Sequence, residues 1–201
     1  SPENLRYVGT TIAVLDTGII NHVEFKGRLL PGFDFIKNTD FSLDGDGRDS
    51  DFSPFQTDLT KCFGDNNANI GHGTHVAGII AGEGGDGDFL RGVVPNAYIL
   101  PVRVLGPCGG ELTDIIDGIL WSAGESVDGV SKRDDPVSVI NLSLGGHGSC
   151  PKSLQKVIDH VSSKNIVVVV AAGNDSINLD HVPFFPANCN NVITVGATSI
   201  E

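Results

Sequence analysis

The chain has 201 residues, a formal net charge of −12, 26 glycines, four cysteines and no methionine. Its length suits one domain with a full core. The acidic balance argues against nucleic acid and anionic membrane surfaces as partners, and the longest apolar run, Ile166 to Ala172, is far too short to cross a bilayer. Ser1 comes first and no basic-plus-apolar leader is seen, which reads as a processed mature chain or as a chosen boundary; the acidic charge is compatible with a secreted protein.

Thr11 to Leu15 is apolar on both faces and predicts a buried strand, ending in Asp16-Thr17-Gly18. A carboxylate at a strand end can accept from an imidazole and hold its tautomer; the plain alternative is an Asp that caps a turn. Residues 37 to 70 and 83 to 92 are polar and Gly/Asp-rich and read as long surface loops. The first holds Asp44-Gly45-Asp46-Gly47-Arg48-Asp49-Ser50-Asp51. Calcium draws oxygen ligands from such loops, so Asp44, Asp46, Asp49 and Asp51 are candidate calcium ligands. A solvated acidic loop is equally compatible, and the terminal Glu of an EF-hand is missing. Asp86 and Asp88 form a second, sparser candidate.

His72-Gly73-Thr74-His75-Val76-Ala77-Gly78 follows, with a helix predicted over Thr74 to Ala81. His72 stands where the helix opens and is the candidate general base; His75, one turn on, is expected to pack inside. Two histidines at this spacing raise the question of metal, but His-Glu-x-x-His is absent and no third ligand is near. Gly82-Glu83-Gly84-Gly85-Asp86-Gly87 matches a dinucleotide-loop spacing, yet it follows a helix instead of a strand, so that reading fails.

Tyr98 to Leu105 predicts the next strand, and Gly109-Gly110-Glu111 lies beyond it. Thr113 to Ala123 predicts a helix capped by Thr113, with Ile115, Ile116, Ile119 and Leu120 at helical spacing. Val137 to Leu142 is a strand leading into Ser143-Leu144-Gly145-Gly146. Glycine-bearing backbone at strand ends can pair with a peptide strand, although two ordinary turns would look the same. Ser143 has no Gly-x-Ser-x-Gly context, so a nucleophile elbow is not indicated. Ser153 to Ser163 predicts a helix with Leu154, Val157, Ile158 and Val161 on one stripe, Ile166 to Ala171 a strand, and Val192 to Val195 another. Asn174 ends the Ala171-Ala172-Gly173 shelf; its amide can donate to a developing oxyanion or simply turn the chain. The shelf is small enough for a substrate side chain to lie against its backbone. Alternating strands and helices imply an α/β fold, a mostly parallel central sheet with helices on both faces. Ligands bind such sheets at the carboxyl ends of strands, where Asp16, the Ser143 loop and Asn174 all fall.

Cys62, Cys108, Cys150 and Cys189 show no Cys-x-x-Cys spacing. An even count fits two disulfides in an oxidising compartment, with three pairings open and reduced thiols as the alternative. Cys108 and Cys150 both sit in loops after predicted strands, which favours that pair. Cys62 and Cys189 then pair with each other or with cysteines outside the chain.

Asp-Thr-Gly, His-Gly-Thr-His-Val-Ala-Gly and Ala-Ala-Gly-Asn, in that order, resemble the subtilisin-like serine peptidases, or subtilases. Arg103-Val104-Leu105, Asn141-Leu142-Ser143-Leu144-Gly145-Gly146 and Phe185-Pro186-Ala187 add to the likeness, which runs from about Thr11 to Ile200. The cysteine-bearing segments resemble the secreted bacterial members. The resemblance implies that Asp16 orients His72, that His72 is base and then acid, and that Asn174 stabilises the oxyanion. It implies peptide binding by residues 109 to 111 and 143 to 145, and a specificity-pocket wall from residues 171 to 173. Phe184 matches a position near that pocket's base that is often small, so a shortened pocket favouring small residues is expected. The family's Gly-Thr-Ser-Met-Ala segment is not found between residues 1 and 201. Residues 1 to 201 therefore read as the N-terminal part of one catalytic domain, with the serine on a separate C-terminal chain or segment. By itself the chain should be inactive and expose apolar surface. The rival reading is a dead subtilase scaffold that binds peptides without cutting them; a third is a scaffold built around its calcium loop.

Overall fold

The computed structural model describes residues 9–54, 71–84 and 91–199; the expectations for Cys62, Asp86 and Asp88 lie outside these. Six strands form one parallel sheet in the order β2-β3-β1-β4-β6-β8. They are β1 (Thr11–Asp16), β2 (Phe33–Asp34), β3 (Tyr98–Arg103), β4 (Val139–Leu142), β6 (Val167–Ala171) and β8 (Ile193–Val195). β5 (Gly146–His147) and β7 (Phe184–Phe185) pair antiparallel as a separate ribbon. The helices are α1 (Thr39–Ser42), α2 (His72–Ala81), α3 (Leu112–Ser122) and α4 (Lys152–Ser163).

The two faces of β1 show why the sheet is buried twice over. Side chains alternate along a strand, so Ile12 and Val14 join one apolar cluster with Ala77 and Ala81 of α2. Ala13 and Leu15 join the other, with Ile115 and Ile119 of α3 and Leu154, Ile158 and Val161 of α4. That is the apolar, β-branched composition of a parallel sheet covered on both sides. α3 approaches closely at Gly118, where a Cβ would come 2.9 Å from Val102 Cγ1.

All five long strands and three long helices predicted from the pattern are present, with shifted ends. α2 begins at His72, two residues earlier than its apolar pattern indicates, because its cap comes from another element: Thr17 Oγ1 accepts from Gly73 N at 3.1 Å. Thr113 does not cap α3. The helix starts at Leu112, which packs against the core, and its N-cap is Glu111, without a side-chain bond. At the far edge, Ile193 and Val195 of β8 are 55% and 53% exposed.

A buried ion cluster ties β2 and β3 to the acidic loop. Arg103, fully buried, contacts the carboxylates of Asp34 and Asp44 through Nη1 and donates from Nη2 to Ser42 O at 2.7 Å. Asp34 also accepts from Ile36 N at 2.7 Å. Burial pushes the Asp34 carboxyl up, and the Arg103 charge opposes that push. Removing one partner of a buried pair strands the other charge and costs about 3–5 kcal/mol. Arg103→Met should therefore lower the urea midpoint by that equivalent, and adding Asp34→Asn and Asp44→Asn should recover much of the loss. A single variant as stable as the parent would show the cluster to be dispensable.

Candidate active site

The end of β1 and the start of α2 meet in an acid–imidazole pair. His72 Nδ1 lies 2.7 Å from Asp16 Oδ1, and Asp16 is fully buried while His72 keeps 38% exposure. An ionised carboxylate only accepts, so the proton sits on Nδ1 and Nε2 is left as the basic nitrogen. Asp16 Oδ1 also accepts from Thr17 N at 2.7 Å, which fixes the carboxylate plane. The approach is made possible by glycine. A Cβ on Gly73 would fall 2.4 Å from Gly18 O and 3.0 Å from Asp16 Cβ. Gly71, in the left-handed region at φ 88°, turns the chain into the helix. Thr74 Oγ1 completes the clamp by accepting from Ile20 N at 2.9 Å.

His72 opens onto a cleft of about 480 Å³. One rim carries Gly109 and Gly110; the other carries Ser143, Leu144 and Gly145, and Asn174 joins the same lining. Thus His72, both glycine-bearing stretches and Asn174 converge at the carboxyl ends of β1, β3, β4 and β6, as the strand pattern requires. Gly146, from the predicted Ser143 stretch, lines the cleft too, as do Thr17, Leu105, Gly106, Leu112, Ile115 and Phe185, which were not predicted as site residues. Most of them are apolar and look like core in sequence; only the strand order brings them to the rim. Glu111 is the N-cap of α3 and Ala171, Ala172 and Gly173 are half-buried, none of them in the cleft lining. Phe184 is buried, 8% exposed, with its ring against Gly145 and Gly173, and it too is outside the cleft lining. Within the described residues, the hydrogen bonds of the His72 side chain end at Asp16, and Ser143 Oγ is taken by Asn141 Nδ2 at 3.0 Å.

Two expectations need correction. Cys150 bonds to Cys189, with Cα atoms 5.2 Å apart, and not to Cys108, which is itself disulfide-bonded. β1 stands between β3 and β4, separating the loops that carry Cys108 and Cys150. Gln155 of α4 meanwhile holds Asn190 through bonds of 2.8 and 3.1 Å, drawing the Cys189 loop to the helix start. His75 is exposed, because the small residues Gly73, Ala77 and Ala81 form the inward stripe of α2 and His75 falls off it. In the acidic loop, three of the four candidate calcium ligands, Asp44, Asp49 and Asp51, have partners within the chain. Among the described residues no three His, Cys, Asp or Glu side chains converge on a metal position. Asp44 has Arg103 and the Ser42 hydroxyl at 2.7 Å as partners; burial works against its charge, but the hydroxyl and then Arg103 hold the carboxyl below its ordinary value. Asp49 accepts from Asp51 N and Asp51 from Ser53 N, so these carboxylates cap local turns. Asp46 is crowded by Asp49 first, which pushes its carboxyl up.

A parallel α/β sheet whose strand ends bring an acid–imidazole pair and a peptide-sized cleft together is the frame of a hydrolase. The chain belongs to the subtilase family, whose pattern it matches over residues 8–201. It is 42% identical over 199 residues to an extracellular basic protease of Dichelobacter nodosus and, to the same degree, to an extracellular protease of Xanthomonas campestris pv. campestris. Each alignment covers 95% of this chain and 33% of the relative, so the chain spans about a third of the length of the curated relatives it matches. Among solved structures, a protease of Pseudoalteromonas arctica superposes with a TM-score of 0.80 at 43% identity, covering 92% of this chain and 55% of that one.

The hydrogen bond to Asp16 raises the His72 pKa above its ordinary 6.5, desolvation opposes, and the Asp16 charge adds to the rise. A histidine with a raised folded value gives stability that is fully present below its unfolded value and is lost as pH climbs through the folded one. NMR titration should place the His72 midpoint above 6.5, and Asp16→Asn should bring it down. The parent should lose a small increment of stability as pH rises across that window, which the variant lacks. Identical midpoints in the two proteins would refute the coupling.

Proposed function

We propose that the chain is the acid- and base-bearing part of a secreted serine endopeptidase. Asp16 holds the His72 tautomer; His72 Nε2 takes the proton from a serine hydroxyl as it attacks the scissile carbonyl and returns it to the leaving amine. Asn174 donates its amide to the tetrahedral oxyanion. The backbone of residues 109–110 and 143–145 receives the peptide as an added strand on each side of the cleft. The serine comes from a C-terminal segment or chain outside these 201 residues. Secretion is supported by the extracellular relatives and by the disulfide between Cys150 and Cys189. The observation that carries the reading is the 2.7 Å contact between Asp16 and His72 at the mouth of the cleft shared with Asn174.

The assembled protease, with its C-terminal part, should be labelled by a serine-directed fluorophosphonate, and the label should lie outside this chain. Loss of one oxyanion donor costs about 10²–10³ in kcat, a magnitude that comes from mutagenesis of a subtilisin, a member of this same family. Asn174→Ala should reproduce it with KM little changed, and His72→Ala should reduce labelling to background. Full activity in Asn174→Ala, or a label on Ser143, would reject the assignment. A pure 201-residue species that binds peptides and never labels would favour the scaffold reading.

Phe184 bears on substrate choice. Its ring packs between Gly145 and Gly173; in this reading it fills the space that the side chain before the scissile bond would otherwise reach. A peptide library should therefore show preference for small side chains at that residue. Preference for large aromatics would overturn this part of the proposal.

A further inference from the structure

The Phe184 ring is held from outside the cleft as well as from within. A Cβ on Gly145 would lie 2.3 Å from Phe184 Cε1, and one on Gly173 would lie 3.2 Å from the same atom. The ring is thus gripped by two bare backbones, one after β4 and one after β6. In the β5–β7 ribbon, His147 stands opposite Phe184. Its imidazole meets the ring edge-on, with centroids 5.5 Å apart and planes at 86°. His147 Nε2 also reaches Asp175 Oδ2 at 3.3 Å, and Asp175 directly follows Asn174. One imidazole therefore touches the pocket-filling ring and spans from the first wall to the second.

We propose that His147 and Asp175 form a latch that keeps the Phe184 ring between the two glycine walls and so sets the size of side chain accepted before the scissile bond. The inference rests on reading the cleft as a peptide-cleaving site. His147 is a specificity-determining residue that acts through Phe184, without touching the reacting atoms. β7 brings only Phe184 and Phe185 to this contact, so Asp175 is the acid that faces the imidazole. The pair is exposed, His147 to 65% and Asp175 to 49%. Such pairs add little to global stability, so the latch is read in selectivity and not in melting. Opening it frees the ring to leave the gap, which is otherwise closed to a large substrate side chain.

The test uses the assembled protease and two peptides that differ only in Ala or Phe before the scissile bond, with the ratio of kcat/KM values as readout. A side-chain-sized change in an apolar pocket shifts such a ratio by about 10- to 200-fold. Phe184→Gly should move it toward the Phe peptide by about a hundredfold. His147→Ala and Asp175→Ala should each move it the same way by about five- to tenfold, with unchanged melting. Because the latch acts through the ring, His147→Ala should add nothing in the Phe184→Gly background. A ratio unmoved by His147→Ala, or moved equally in both backgrounds, overturns the latch while leaving the pocket reading intact. A Phe184→Gly enzyme that still refuses the Phe peptide, or an assembled protein that cleaves neither, rejects the pocket reading and the latch with it.

Discussion

The site depends on how closely the first turn of α2 can approach the end of β1. Gly73 lies where any side chain would strike Gly18 O and crowd the Asp16 side chain. Without that approach Asp16 Oδ1 would not reach His72 Nδ1, and the imidazole would lose its orientation. The helix needs the contact in return. Its opening residue, Gly71, offers no side-chain cap, and the exposed donors of a helix start must be met somewhere. Thr17 Oγ1, one residue beyond the acid, meets that of Gly73. Capping and the acid–imidazole geometry are thus one set of bonds: the residues that seal the helix start also place His72.

This explains which parts of the molecule could be read from the chain. Asp16, His72 and Asn174 stood out because each ends or begins an apolar run, and strand ends of a parallel sheet point to one rim. The strands themselves were legible from continuous β-branched stretches such as residues 167–170. What escaped was supplied from far along the sequence. The start of α2 moved to His72 because its cap is 56 positions away. The Cys150–Cys189 pair was missed because loops that follow successive strands need not be neighbours when another strand lies between them. His75 looked internal on motif grounds, but Gly73, Ala77 and Ala81 make a narrower inward stripe than their modest hydrophobicity advertises.

The acidic loop shows how one partner reassigns a charged motif. Read in isolation, Asp44, Asp46, Asp49 and Asp51 call for a cation. The fold brings Arg103, at the end of β3, to Asp44 and turns Asp49 and Asp51 onto nearby backbone amides. Arg103 lies beside Asp16 in the sheet register. Its Nη1 and Nη2 nevertheless go to Asp34, Asp44 and Ser42 O, toward β2 and the acidic loop, while Nε is buried without a hydrogen-bond partner among the described residues. The Asp16 carboxylate is therefore left to the imidazole and to Thr17 N. Had the arginine turned the other way, a direct ion pair would compete with His72 for the same oxygens and weaken its basicity. Occupying Arg103 elsewhere is part of what keeps the acid available.

Glycine has a second use on the opposite side of the cleft. Around Asp16 it removes side chains so that two backbones can touch; at Gly145 and Gly173 it removes them so that one ring can be admitted. A pocket with bare walls is deep by default, and its effective depth is set by whatever enters it first. Here that occupant is Phe184, delivered by a short ribbon that is outside the main sheet. The ribbon is fastened at its Gly148 end by two bonds: Gly148 N donates to Pro183 O at 2.9 Å, and Asn188 Nδ2 donates to Gly148 O at 3.0 Å. The disulfide from Cys150 to Cys189 closes the same loop a few residues further on. If Phe184 sets substrate size as proposed, selectivity is carried by an element that can vary without disturbing the acid–imidazole pair, because the sheet holds one and the disulfide-braced ribbon holds the other.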